Sequence, residues 1–260
     1  REYRRNSLHR FMVLLSDNFS ESEKRFLLQY IKKENPSIPL DEIISRLNLG
    51  EPIDYILGYT YFYGLKIEVS EDTLIPRPET EELVELILKE NQTRSGLKIL
   101  DIGTGSGCIA LALKSKLGDA EVTAIDVSIA ALEIAKKNSV HLDLKINFVQ
   151  LDILDEQLWP QLVNYDIIVS NPPYIPQEEK KDMTSSVLDY EPHLALFVEN
   201  DPLLFYKQIL KFATSHLNPK GLVYFETSQT IQLEEYDGFH IEKQKDLSGN
   251  WRFLKCVSNF

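Results

Sequence analysis

A run of glycines set between an apolar strand and an apolar helix most narrows what this chain can become. Asp101-Ile102-Gly103-Thr104-Gly105-Ser106-Gly107 follows the apolar pair Ile99-Leu100 and precedes a helical pattern over 108–117. Open α/β sheets bind ligands at such a turn, because glycines let the backbone approach closely and the helix N-terminus faces the ligand. From Leu97 onward the alternation continues, with apolar runs at 122–125, 146–149, 167–169 and 222–225 and a second helical pattern over 129–142. This predicts a doubly wound, mostly parallel α/β sheet. Residues 239–244 and 252–257 are expected to be two further strands. They should be antiparallel, since the connection over 246–250 is too short for a parallel crossover.

The residues ahead of the sheet read differently. Over 8–57 apolar side chains recur at helical spacing, as in Phe11, Leu14 and Leu15 and again in Phe26, Leu27, Tyr30 and Ile31, with Ser20 and Asp41 as expected N-caps. Asn35-Pro36 and Pro39 interrupt the helices, and Gly58 and Gly64 bracket the β-prone Tyr59-Thr60-Tyr61-Phe62-Tyr63. The expected organisation is a small N-terminal helical domain over 1–57, a β-hairpin linker over 58–72 and a cofactor-binding domain over 73–260. In Leu74-Ile75-Pro76-Arg77-Pro78-Glu79-Thr80 the prolines should hold the backbone extended until Thr80 caps a helix over 83–88. The sequence opens on Arg1 rather than Met, and its first few residues are expected to lie outside the domain.

Composition excludes several function classes. A net charge of −12 repels phosphate backbones and disfavours long nucleic acid as a partner. Cys108 and Cys256 have neither a disulfide framework nor metal-ligand spacing, so buried free thiols in a reducing cytoplasm are expected, with no bound metal. No apolar run approaches the roughly 18 residues that span a bilayer, and no apolar segment follows Arg1-Glu2-Tyr3-Arg4-Arg5. The expectation is a cytoplasmic protein with no membrane partner.

The glycine turn favours one kind of cofactor. A dinucleotide fingerprint would need its third glycine at position 108, where Cys108 stands, and Gly107 precedes it. Asp101, just before the turn, would repel a pyrophosphate but suits the ammonium of an amino-acid-bearing nucleoside such as S-adenosylmethionine. Asp126, ending the next strand, stands about 20 residues on, where an acid meets ribose hydroxyls. Asp152, after the third strand, can accept from an adenine amino group. Taken singly, Asp126 and Asp152 read equally well as turn carboxylates, and the glycines as an ordinary tight turn.

Val169-Ser170-Asn171-Pro172-Pro173-Tyr174 ends the fourth strand at the same edge of the sheet. The Asn171 amide oxygen and the Pro172 carbonyl can each accept one N–H of a substrate NH2 group. The proline rings stiffen the turn, and Tyr174 offers a face for a planar group to stack on. A conjugated nitrogen is a poor nucleophile toward a methyl sulfonium. Aligning it with the S–CH3 bond recovers part of the barrier, up to roughly 7 to 11 kcal/mol in favourable cases. Accepting both protons also stabilises charge that builds on nitrogen during attack. The competing reading is that Asn-Pro-Pro merely ends a strand.

With these residues in place, the chain resembles the release-factor glutamine N5-methyltransferases. The resemblance runs over 46–257 and is carried by Gly50-Glu51-Pro52-Ile53-Asp54-Tyr55-Ile56-Leu57-Gly58, Thr73-Leu74-Ile75-Pro76-Arg77-Pro78-Glu79-Thr80, the glycine turn, the Asn171 tetrad, Tyr190-Glu191-Pro192 and Asp246-Leu247-Ser248-Gly249-Asn250. It implies a class I Rossmann-like methyltransferase fold, a helical domain that recognises substrate, and release of S-adenosylhomocysteine. The implied substrate is the glutamine side-chain amide in the Gly-Gly-Gln tip of class I peptide-chain release factors, methylated by a monomer. The implied cofactor positions are Gly103, Thr104, Gly105, Ser106, Gly107, Asp126, Asp152 and Ile153, with Asn171 shared. The implied substrate positions are Asn171, Pro172, Pro173 and Tyr174. Phe62 and Arg77 line the glutamine pocket or dock the partner in this view, against an equally good reading as a packing aromatic and a surface ion pair.

Glu226-Thr227-Ser228 departs from the usual Glu, apolar residue and Gly, and the short segment 229–238 suggests a curtailed helix, which bears on partner docking. Three alternatives remain open. An adenine N6-methyltransferase would use the same clamp on a flipped base, but residues 71–260 carry 18 Lys and Arg against 30 Asp and Glu. A glutamine methyltransferase acting on a ribosomal protein is poorly separated by sequence. A non-catalytic S-adenosylmethionine-binding scaffold would be favoured by loss of Asn171 or the glycines, which are retained.

Overall fold

A computed structural model describes residues 11–260, so the start of the expected 1–57 domain, Leu8 included, lies outside the described residues. Seven strands form one sheet in the order β10-β11-β9-β6-β3-β4-β5. They are β3 (Lys98–Ile102), β4 (Glu121–Asp126), β5 (Asn147–Gln150), β6 (Tyr165–Ser170), β9 (Leu217–Glu226), β10 (Phe239–Lys245) and β11 (Trp251–Ser258), while β7 (Ile175–Pro176) and β8 (Phe197–Val198) form a separate parallel pair. The pairs from β9 through β6, β3, β4 and β5 are parallel, whereas β11 lies antiparallel to β9 and β10 on either side. Every strand expected from an apolar run is present.

The sheet is buried on both faces, and period-2 alternation divides its residues between two cores. Ile99, Ile167, Val169 and Tyr224 face one core, with α4 (Pro78–Glu90) and α5 (Cys108–Lys116) packed over it. Leu100, Ile102, Ile168, Val223 and Phe225 face the other, against α9 (Leu204–His216), which follows the short helices α7 (Ser185–Tyr190) and α8 (His193–Leu196). One local expectation needs correction. The helix α4 begins at Pro78, with Arg77 as N-cap, so Thr80 sits inside its first turn and does not cap it; proline at N1 lacks only an N–H that has no intrahelical partner there. Within β9, Asn218-Pro219-Lys220-Gly221 forms a bulge. Tyr165 faces Leu217 and Ile167 faces Leu222, so the extra residues loop out through Lys220 at φ 65°. No helix occurs over 229–238.

The N-terminal helices α1 (Glu21–Glu34), α2 (Leu40–Asn48) and α3 (Ile53–Leu57) enclose a third core of Phe11, Leu15, Leu27, Leu28, Ile31, Ile43, Ile44, Leu47 and Ile56. Ser20 caps α1 in a reciprocal box with Glu23. Asp41 is no cap, since α2 starts at Leu40 behind Pro39. Phe26 is 64% exposed and stacks on Tyr30, so the buried stripe of α1 is Lys24, Leu27, Leu28 and Ile31.

The hairpin β1 (Tyr59–Phe62) and β2 (Leu65–Glu68) belongs to the sheet's core, for Phe62, Ile67 and Val69 are buried there. Asn138 of α6 (Ile129–His141) fastens it. Its amide oxygen accepts from the Glu68 N–H at 2.7 Å, and its nitrogen donates to the carbonyls of Glu68 at 3.0 Å and Ser106 at 2.9 Å. One buried amide thus ties the hairpin, α6 and the glycine turn together. Asn138→Ala should cost about 2 kcal/mol in chemical denaturation, the penalty of leaving buried backbone groups unpaired.

Candidate functional site

The chain order reverses between neighbouring β3 and β6, since β4 and β5 extend the sheet to one side and β9 to the other. Open α/β sheets bind ligands in the crevice at such a point, beyond the strand C-termini. Ile102 faces Ser170 in parallel register, and the Ser170 hydroxyl donates to the Ile102 carbonyl at 2.8 Å. The glycine turn after β3 and Asn171-Pro172-Pro173 after β6 therefore leave the sheet side by side. Between them opens a cavity of about 240 Å³ whose wall includes Gly103, Thr104, Gly105, Ser106, Asp126, Asp152, Ile153, Asn171, Pro172, Pro173 and Arg77.

The glycine turn is bolted to the next strand. The N–H groups of Gly103 and Thr104 donate to the Ile125 carbonyl at 2.9 and 3.0 Å, and the Gly105 N–H to Asp126 at 2.9 Å. Gly103 and Gly105 have φ of 70° and 55°, and no heavy atom lies within 4 Å of the place a Cβ would take, so bare backbone borders the cavity. Gly107 serves a different end. It is not in the wall, and a Cβ there would meet the Ala135 Cβ at 3.1 Å and Leu111 Cδ1 at 3.2 Å, so it sets how closely α5 and α6 pack.

Asp101 also stands behind the wall, because the pleat turns it to the α5 face of the sheet. It is fully buried. Its Oδ2 accepts the Thr104 hydroxyl at 2.6 Å, while Oδ1 makes no well-formed hydrogen bond. Burial pushes its pKa up to about 7, against the pull of the Thr104 hydroxyl and the Ala110 N–H. Asp126 accepts N–H groups from Gly105 and Ser128, each at 2.9 Å; burial raises its pKa and those bonds oppose the rise. Asp152 accepts from the Leu154 N–H at 2.9 Å. Both carboxylates thus shape turns and also border the cavity.

Three other expected site residues differ in position. Tyr174 is outside the wall and packs against the second core, where burial and the Glu226 charge raise its pKa. Phe62 is 1% exposed within the first core. Arg77 does border the cavity, and its guanidinium pairs with the buried carboxylate of Glu191 at 2.5 Å, joining residues 114 apart.

Much of the remaining wall carries no site role expected from the sequence, although Leu74, Pro76, Thr80 and Pro192 stand in the segments that carry the resemblance. Leu74 and Pro76 come from the irregular segment before α4, Pro192 and Leu194 from the start of the short helix His193–Leu196 and the residue before it, and Phe205 and Ile209 from α9. Thr80 is also in the wall, and its hydroxyl donates to Glu226 at 2.6 Å. Such contacts join distant parts of the chain and leave no local pattern to find.

Comparison with known proteins follows the same lines. The family model for the methyltransferase small domain matches residues 79–191. The chain is 49% identical to the release factor glutamine methyltransferase of Flavobacterium psychrophilum, over 85% of this chain and 83% of that protein. It is 46% identical to the release factor glutamine methyltransferase of Bacteroides thetaiotaomicron, over 83% of this chain and 79% of that one. The T. thermophilus 16S rRNA N2 G1207 methyltransferase, solved with AdoMet and guanosine, superposes with a TM-score of 0.54 at 18% identity, covering 77% of this chain and 50% of that one, a likeness of fold alone.

The Asp101 pKa, about 7 in the folded protein against 3.8 ordinarily, makes a linkage prediction. The folded state holds that proton more tightly, so its stabilising contribution is complete below pH 3.8 and is lost as pH rises to about 7. The stability of the wild type relative to Asp101→Asn should therefore fall across that window in denaturation midpoints. A constant difference would show that Asp101 does not titrate there.

Proposed function

The chain belongs to the release factor glutamine methyltransferases, and from that premise we propose that it transfers the methyl group of S-adenosylmethionine to N5 of the glutamine in the Gly-Gly-Gln tip of class I release factors. One observation carries this reading: the bare glycine turn and the Asn171-Pro172 acceptors border one cavity at the reversal of the sheet. The donor set suits that cofactor. The unpartnered Asp101 oxygen behind the turn favours a cation over a phosphate, Asp126 and Asp152 supply acceptors, and Ile102, Leu151 and Ile153 supply apolar surface for an adenine.

When bound, the cofactor supplies an electrophilic methyl group on sulfur. Asn171 and the Pro172 carbonyl accept the two amide protons, hold the nitrogen lone pair toward the methyl, and favour the positive charge that develops on nitrogen. No buried base has to remove a proton first, because the nitrogen becomes far more acidic as it is methylated. Pro172 is buried and Pro173 half-buried, so the acceptor turn is held rigid before substrate arrives.

The helical segment up to Leu57 serves in this proposal as the surface that recognises the rest of the release factor. Its own core supports that role, as does its fixed attachment, in which the Tyr190 hydroxyl donates to the Leu49 carbonyl at 3.1 Å and Tyr55 to the Thr73 carbonyl at 2.6 Å. Among the described residues no helix is long and apolar enough to cross a membrane, which suits an enzyme acting on translation factors in the cytoplasm.

Transfer of labelled methyl to a purified release factor, to its tip Gln→Ala variant and to duplex DNA tests the proposal. Label on the intact release factor alone is expected, whereas label on DNA would favour the adenine methyltransferase. Asn171→Ala should reduce kcat by at least about a hundredfold with little change in cofactor affinity, since it removes an interaction that strengthens in the transition state. Asp126→Ala should instead weaken cofactor binding by about 1–3 kcal/mol in calorimetry.

A further inference from the structure

Phe26 and Tyr30 stand at core spacing in the sequence, yet the folded helix leaves Phe26 exposed and Tyr30 half-buried. Phe26, Tyr30 and Glu34 follow one another at helical i, i+4 spacing along α1, so they share one face of it. The Phe26 and Tyr30 rings stack at 6.1 Å with an interplanar angle of 6°. The Tyr30 hydroxyl lies within electrostatic reach of Glu34 and Tyr61. At the end of the same face the Glu34 carboxylate accepts the hydroxyls of Tyr59 at 2.8 Å and Tyr61 at 3.1 Å, both from β1. Those two rings meet edge to face at 6.1 Å, with Lys66 of β2 over Tyr59 at 3.5 Å and Lys33 over Tyr61 at 5.7 Å. The aromatic rings thus form one continuous ridge from α1 onto the hairpin, with Phe26 64% and Tyr61 46% exposed.

We infer that the ridge of Phe26, Tyr30, Tyr59 and Tyr61 is a docking surface for the release factor, meeting an apolar patch of that protein beside its Gly-Gly-Gln tip. The inference rests on the glutamine-methylation reading. Exposed apolar side chains scattered singly are ordinary on a protein surface, whereas a contiguous aromatic run has the composition of an interface centre. Glu34 fixes both β1 tyrosines before a partner arrives, so little rotamer freedom is lost on binding.

The ridge is continuous with the mouth of the cavity. Tyr59 follows Gly58 at the end of α3, and α3 is fastened to the cavity wall by the Tyr55 hydroxyl on the carbonyl of Thr73. Arg77, also in the wall and with its side chain 35% exposed, marks the opening. Asp54 of α3 stands between the two, within electrostatic reach of the Tyr30 hydroxyl and of Arg77. A glutamine side chain is short, so a protein that seats its amide against Asn171 and Pro172 has to lay its own surface over the surrounding rim. A second copy of this chain does not suit the place, because a dimer closed through the ridge would crowd the entrance that a protein substrate needs.

The test uses the full chain, a purified release factor and its tip Gln→Ala variant. Phe26→Ala and Tyr61→Ala should each raise KM for the release factor about tenfold, and should weaken binding of the Gln→Ala factor about as much, since the ridge meets the partner outside the tip. Both kcat and cofactor affinity should stay within about twofold. Tyr61→Phe, which keeps the ring, should retain most of the affinity. Val163→Ala, at an exposed side chain just before β6 and so at the opposite end of the sheet from the cavity, should change nothing. Binding of the Gln→Ala factor unmoved in both ridge variants, or a loss confined to kcat or to cofactor affinity, would overturn the inference alone. So would a Phe26→Ala protein that changes from dimer to monomer while binding the factor as the wild type does, which would assign the ridge to a second copy of this chain. A wild-type enzyme that labels no release factor would overturn the functional reading, and this inference with it.

Discussion

The parallel register of β3 and β6 is the constraint on which the site depends. Ile102 opposite Ser170 is an ordinary ladder pair, fixed further by the Ser170 hydroxyl on the Ile102 carbonyl. The loop after β3 is bare glycine backbone and the loop after β6 is stiffened by prolines, so that pair sets the spacing between the two sides of the cavity. A register slip on either strand would turn core residues to the opposite face. The apolar alternation of Ile99 and Leu100 against Ile167 and Ile168 therefore protects catalytic geometry through packing alone.

Two carboxylates flank this frame in similar ways. Asp101 on β3 and Glu226 on β9 are each buried, each held by one threonine hydroxyl, and each raised to a pKa of about 7 by loss of water. Neither arrangement optimises stability, because a carboxylate taken out of water without a close ion pair costs free energy in its charged form. Such costs concentrate where orientation or charge serves a ligand. Arg252, which moderates the charge of Glu226, is itself paired with Asp246 at 3.2 Å, so the β10–β11 turn reaches into the same network.

The sequence made the frame legible but concealed the partners within it. Apolar runs located the strands because a buried parallel sheet needs them, and the glycine and Asn-Pro-Pro turns stood out because few residue types fit such backbone. Thr80 reads locally as a cap, since its bond to Glu226 spans 146 residues and has no local signature. Gly107 looked like its neighbours in the turn, yet its requirement comes from Ala135 on another helix. Phe62 sat in an aromatic stretch with a plausible role at the site, but only the fold shows the hairpin folded inward. Asn138 has no signal in the sequence, being one polar residue in a helical pattern, although it joins three elements.

The antiparallel strand carries a consequence for biosynthesis. In sequence β11 comes after both β9 and β10, yet in the sheet it lies between them. Until the ribosome has released those residues, β9 presents an open edge and β10 has no neighbour, a state prone to wrong pairing. Arg252 arrives with β11, so the charge environment of Glu226 is also completed only then. The nascent chain can build its glycine turn early, but it must wait for a late, non-local insertion before the β9 side of the cavity acquires its final electrostatics.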